Sequence, residues 1–135
     1  MDPTRVLIVD DNQSAIDLAA FALNAAGYQV ESACDAGQAL LKIPVFQPTL
    51  ILMDVQMPGV DGIELTRQLK ADPATWTIQI LAFTAFARQG DAQTLHDARF
   101  DGYIGKPLDV MTLAAEVRFW MEAPNPTRAS HFVWP

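Results

Sequence analysis

The sequence predicts an α/β fold, a parallel sheet with helices packed on both faces. Three observations predict it. Apolar runs and helical stretches alternate five times along the chain. Several of the runs, V-L-I-V at 6–9 and L-I-L-M at 50–53 among them, have no polar face, which suits strands covered on both sides. Polar and acidic residues stand directly after these runs rather than within them. With 135 residues the chain is long enough for one domain with a substantial core and too short for two.

The elements follow in order. Arg5–Val9 is a short run of β-branched character, ended by Asp10 and Asp11. Asn12 or Gln13 opens a helical stretch that closes at Gly27, a residue suited to a helix C-terminus. Tyr28–Ala33 alternates apolar and polar residues, the period of a strand. Ala36–Ile43 reads as a short helix halted by Pro44 and Pro48. Leu50–Met53 is another continuous apolar run, followed by Asp54. Asp61–Ala71 is helical, with Asp-Pro at 72–73 after it. Ile78–Thr84 is a fourth strand. Arg88–Arg99 is a weak helix with Leu95 almost its only large apolar residue, so it is expected to be loosely held. Phe100–Ile104 is a short fifth strand, and Asp109 caps a last helix over Val110–Glu122. These elements make one domain over 4–122. The tail 123–135, with three prolines and no periodicity, is expected outside the core. Its Phe132, Val133 and Trp134 suit either a flexible end or a docking segment.

Composition narrows the function. The formal net charge is −7 and the nine basic residues are scattered, which argues against a nucleic-acid surface. One cysteine, Cys34, rules out an internal disulfide and suits a reducing compartment such as the cytoplasm. The N-terminal apolar run of four residues is too short for a signal peptide or a membrane span.

The opening of the stretch L-I-L-M-D-V-Q-M-P-G-V-D-G at 50–62 carries the chemistry. An ionised aspartate left in an apolar setting costs several kcal/mol, so Asp54 belongs at the open end of its strand. In a parallel α/β sheet, ligands bind at the carboxyl ends of the strands. Asp10 and Asp11 end the first strand, Asp54 the third and Thr84 the fourth, and Lys106 follows the fifth. Three carboxylates together repel, and a hard divalent cation such as Mg²⁺ relieves that strain with oxygen ligands. Lys106 adds a positive charge and Thr84 a hydroxyl. Taken singly, each residue suits a helix cap or a solvated loop. Together they suit phosphoryl transfer to a carboxylate.

The chain resembles the receiver domain of two-component response regulators, of the single-domain, chemotaxis-regulator kind. The matching pieces are V-L-I-V-D-D at 6–11, A-G-Y-Q-V at 26–30, the 50–62 stretch, T-A at 84–85 and G-Y-I-G-K-P at 102–107. The resemblance covers roughly residues 4–122. It implies a flavodoxin-like, doubly wound sheet of five parallel strands in the order 2-1-3-4-5, with five helices. It implies that Asp54 accepts a phosphoryl group from a phosphohistidine. Asp11 and Asp54 would ligate Mg²⁺ directly, Asp10 through water, and Gln56 through its backbone carbonyl. Thr84 and Lys106 would bind phosphoryl oxygens, and Tyr103 would swing inward when Thr84 moves. The Lys106–Pro107 bond is expected to be cis. Gln56 and Phe86 occupy positions that vary in the family and tune loss of the phosphoryl group.

The implied partners are a sensor histidine kinase or histidine phosphotransfer protein upstream and a downstream protein on the 88–122 face, with dimerisation a further expectation. At about 100° per residue, Ile16, Ala19, Ala20, Leu23 and Gly27 share the core face of the first helix. Leu18 and Phe21 lie nearly opposite, with Ala22 and Ala25, and are expected to dock the donor. No enzymatic output beyond self-phosphorylation and slow dephosphorylation is expected. A phosphohydrolase would need an acid–base group two residues beyond its aspartyl nucleophile, but that position is Gln56 after Asp54 and Asn12 after Asp10. A flavodoxin-type cofactor binder would need a phosphate loop after the first strand, where D-D-N-Q-S is acidic. A receiver used only for constitutive docking would have no need of Asp54, Thr84 and Lys106 together.

Overall fold

The structure, a computed structural model, describes residues 4–55, 61–84 and 89–122, with only the backbone of 89–92. Strands and helices alternate throughout: β1 (Arg5–Val9), α1 (Gln13–Ala25), β2 (Gln29–Ala33), α2 (Ala36–Phe46), β3 (Leu50–Asp54), α3 (Gly62–Ala71), β4 (Gln79–Thr84), α4 (Gln89–Asp97), β5 (Gly102–Gly105) and α5 (Leu113–Glu122). Every strand pairing is parallel and the order is β2-β1-β3-β4-β5. This is the doubly wound, flavodoxin-like arrangement expected from the sequence.

The alternation of side chains along a strand divides the core in two. Leu7, Val9, Ile51, Met53, Ile80 and Ala82 pack against α2, α3 and α4 through Ala39, Ile43, Leu65, Leu69 and Leu95, with Ala98 just past the end of α4. Val6, Ile8, Leu50, Leu52, Leu81 and Phe83 pack against α1 and α5 through Ile16, Ala19, Leu23, Leu113 and Val117. The central strand β3 is buried along its whole length, whereas the edge strand β2 has mostly exposed or half-buried residues.

Among the described residues, three helices start on a side-chain oxygen that accepts a backbone N–H of the first turn. Asn12 Oδ1 accepts from Ala15 N at 3.1 Å, Asp35 Oδ1 from Gln38 N at 2.8 Å and Asp61 Oδ1 from Glu64 N at 2.8 Å. These caps turn the chain from sheet to helix on the side of the strand carboxyl ends.

Several boundaries differ from the sequence expectation. α2 runs through Pro44 to Phe46, because the proline falls in its last turn and the helix ends on Gln47, left-handed at φ 53°. β5 begins at Gly102, not Phe100. The chain turns there through Arg99 at φ 73°, and Asp101 Oδ2 accepts both Lys70 Nζ, at 2.7 Å, and Ile80 N, at 2.8 Å. This mostly buried ion pair ties the end of α3 to the start of β4 and β5. α5 begins at Leu113, preceded by a turn in which Asp109 Oδ1 accepts Met111 N and the Asp109 carbonyl accepts Leu113 N. On α1, Ala22 is buried beside Ala19 and Leu23, and Gly27 is exposed beyond the helix end. The core-facing arc of α1 is thus centred nearer Ala19 and Ala22 than the wheel suggests.

Candidate functional site

The carboxyl edge of the sheet gathers the residues that the sequence places there. Asp54 is the last residue of β3 and pairs with Phe83 on β4, so Thr84 lies one residue beyond it. Lys106 N donates to the Thr84 carbonyl at 2.8 Å, extending the β4–β5 ladder past Gly105. Asp10 N donates to the Ala33 carbonyl at 3.1 Å, which holds Asp10 in line with β1. Backbone hydrogen bonds therefore fix all four residues.

Lys106 joins the carboxylates. Its Nζ donates to Asp10 Oδ2 at 3.1 Å and to Asp54 Oδ1 at 3.3 Å. The other Asp10 oxygen accepts Asn12 N at 2.9 Å. Asp10 is fully buried, and the Asp54 side chain is nearly so. Burial of two carboxylates would be prohibitive without a cation, and Lys106 is that cation. Its ammonium also stands over the Phe83 ring, 4.8 Å from the centroid. Thr84 is buried at the same edge. The Lys106–Pro107 peptide is cis, as expected.

Carboxylate oxygens of Asp10, Asp11 and Asp54 lie within 4.8 Å of one another. Asp11 is exposed and the other two are buried, so the cluster is open on one side. Three carboxylates against one ammonium leave an excess of negative charge. The donor set is all oxygen, which fits a hard divalent cation and does not suit a soft one.

α3 abuts the site closely. Gly62 N donates to the Val55 carbonyl at 3.2 Å, and a Cβ on Gly62 would stand 2.0 Å from the Asp54 carbonyl oxygen. Only glycine lets the helix start so near the end of β3. On the far side of β5, half-buried Tyr103 meets Trp120 with ring centres 5.8 Å apart. Burial pushes the Tyr103 phenol up from its ordinary value. A Cβ on Gly102 would be 2.3 Å from the Trp120 ring, so β5 lies directly against the indole.

The structure thus brings Asp10, Asp11, Asp54, Thr84 and Lys106 to one edge, with Tyr103 on the neighbouring β5–α5 surface. Leu18 and Phe21 are exposed on α1, at 49% and 69%. Gln56, Ala85, Phe86 and the tail 123–135 lie outside the described residues. Sequence reasoning missed Gly62 and Phe83, and it read Asn12 as a helix start without its backbone N–H to Asp10. The D-G pair at 61–62 was a usable signal for Gly62, but Phe83 looks like any other core residue of an apolar strand.

The fold and this constellation define a class: the chain belongs to the response regulator receiver domain family, which it matches over residues 6–118. Such domains serve two-component signalling. Among relatives, the polar-differentiation response regulator DivK of Brucella anthropi is 34% identical over 119 residues, which cover 88% of this chain and 97% of DivK. The DNA-binding dual master transcriptional regulator RpaA of Synechocystis is 37% identical over 131 residues, 94% of this chain but 54% of RpaA. The chain therefore spans about half the length of one such relative and nearly all of the other. Among solved structures, the chemotaxis response regulator CheY4 of Vibrio cholerae superposes with a TM-score of 0.83 at 28% identity, over 88% of this chain and 99% of CheY4. Among the described residues, no helix is long and apolar enough to cross a membrane.

Proposed function

We propose that Asp54 accepts a phosphoryl group from a phosphohistidine on a partner protein, and that the product changes what the 88–122 face binds. The observation that carries this reading is the Lys106 ammonium bridging Asp10 and Asp54 beside a third carboxylate. A Mg²⁺ ion would be held by Asp10, Asp11 and Asp54, with the carbonyl of Gln56 as a further ligand outside the described residues. When bound, it supplies positive charge that offsets the charge of the incoming phosphoryl group.

The chain's own residues do the rest. An oxygen of the Asp54 carboxylate forms the new O–P bond as the P–N bond to the donor imidazole breaks, and that electron pair stays on the imidazole nitrogen. Lys106 exchanges its bond to Asp54 for one to a phosphoryl oxygen. The Thr84 hydroxyl donates to another. The phosphoryl group brings roughly −1.5 to −2 charges and strong acceptors, so it draws Thr84 towards it. Tyr103 then moves into the space that Thr84 leaves, changing the β5–α5 surface.

The exposed Leu18 and Phe21 of α1 fit the docking of a histidine kinase or phosphotransfer protein, since an apolar solvent face suits a partner. The exposed Met111 and Phe119 fit a downstream protein or a second copy of the chain. A free Cys34 agrees with a cytoplasmic setting.

Incubation with acetyl phosphate followed by intact mass measurement tests the reading. One Mg²⁺-dependent phosphoryl adduct is expected, and none in Asp54→Asn. An adduct that persists in the mutant would refute the assignment.

A further inference from the structure

Lys106 has an aromatic neighbour besides its two carboxylate partners. Its ammonium lies over the face of Phe83, 4.8 Å from the ring centre. Phe83 is 1% exposed and among the largest wholly buried side chains. Its backbone pairs with Asp54 on one side and Ile104 on the other, and its carbonyl accepts Val55 N at 3.4 Å. Its side chain belongs to the cluster of Leu52, Leu81, Ile104 and Leu113. A ring packed in this way is a fixed surface.

The face of an aromatic ring is electronegative and attracts an ammonium, the more so as water is excluded. Lysine needs such a surface, because its charge ends a flexible four-carbon stem. The two carboxylate contacts are unequal anchors. The bond to Asp54 Oδ1 must be given up when Asp54 is modified, whereas the ring keeps its chemical state throughout. We propose that Phe83 is a positioning residue whose ring face keeps the Lys106 ammonium at Asp54 while its bond to Oδ1 is exchanged for one to the phosphoryl group. This rests on the proposed roles of Asp54 and Lys106.

The test replaces Phe83 with mono-, di- and trifluorophenylalanine, which keep the shape of the ring and progressively weaken its electronegative face. Phosphorylation by acetyl phosphate should slow at each step, by about tenfold at the trifluoro ring. Phe83→Leu should be about as slow. A rate that stays flat along the fluorine series would overturn the proposal even if Phe83→Leu is slow, since that pattern means packing alone. A second readout needs no phosphoryl transfer. In the unmodified chain, NMR relaxation of the Lys106 Cε methylene should report a stepwise gain in mobility along the series. Unchanged mobility would refute the ring contact, whereas a wild-type chain that takes no phosphoryl group would refute the acceptor role of Asp54 instead.

Discussion

Lys106 is the residue on which the site's energetics turn. It is the shared partner of two buried carboxylates, with its own side chain 26% exposed. Removing one member of a buried ion pair leaves the others uncompensated, at a typical cost of 3–5 kcal/mol. Lys106→Met should therefore lower stability by about 3 kcal/mol in the presence of a chelator. Urea unfolding with and without Mg²⁺ checks this, and added Mg²⁺ should restore part of the loss, because an ion that binds only the folded state stabilises it. Tyr103 gives a second handle. Burial raises its phenol above the ordinary 10.0, so the folded state holds that proton more tightly than the unfolded chain. The stability that follows is fully present below pH 10 and is lost as the pH climbs through the raised value. Ultraviolet titration should show a phenolate that appears late, and Tyr103→Phe should remove that step. The position of Asp10 and Asp54 at strand ends was legible in the sequence, because each follows an apolar run directly. Their burial was not. Asp10 can be fully buried only because Lys106, 96 positions later, folds over it.

At the scale of elements, the contact between β3 and α3 sets the site's geometry. The neighbours that a Cβ on Gly62 would meet are the backbone O and C of Asp54 at 2.0 and 2.9 Å. Backbone cannot swing aside as a side chain can. Gly62→Ala should cost about 2–3 kcal/mol and move α3 away from Asp54. Thermal unfolding measures the first effect, and slower phosphorylation by acetyl phosphate the second. Long periodic or uniformly apolar segments were legible: α1, β3, α3 and β4 fall within a residue or two of expectation. The misses share a cause. Pro44 suggests a stop, yet a helix tolerates a proline in its last turn when chain beyond it closes on a left-handed residue, as Gln47 does. Phe100 and Asp101 look like the start of a strand. They form a turn because Asp101 is engaged by Lys70 and Ile80 N, partners 31 and 21 residues away. Nothing local announces such a contact.

For the whole molecule, the sheet order is what brings residues 10, 54, 84 and 106 to one edge. That order was readable only through the family resemblance. Alternating strands and helices alone fit other parallel sheets equally well. The same order puts α1 beside the site with Leu18 and Phe21 facing outward. Phe21→Ala should slow transfer from a phosphorylated histidine phosphotransfer protein about tenfold and leave the acetyl phosphate rate unchanged, because only the protein donor needs a docking surface. Stopped-flow rates with both donors check this.

We propose that Asp54, and neither of the acidic residues beside it, carries the phosphoryl group. An aspartyl phosphate is an acyl phosphate, and borohydride reduces it to homoserine. The chain should be treated with acetyl phosphate and Mg²⁺, trapped with borohydride, digested and sequenced by mass spectrometry. Homoserine is expected at position 54 alone, and none when Mg²⁺ is chelated. Homoserine at position 10 or 11, or at position 54 to the same extent without Mg²⁺, would contradict the proposal.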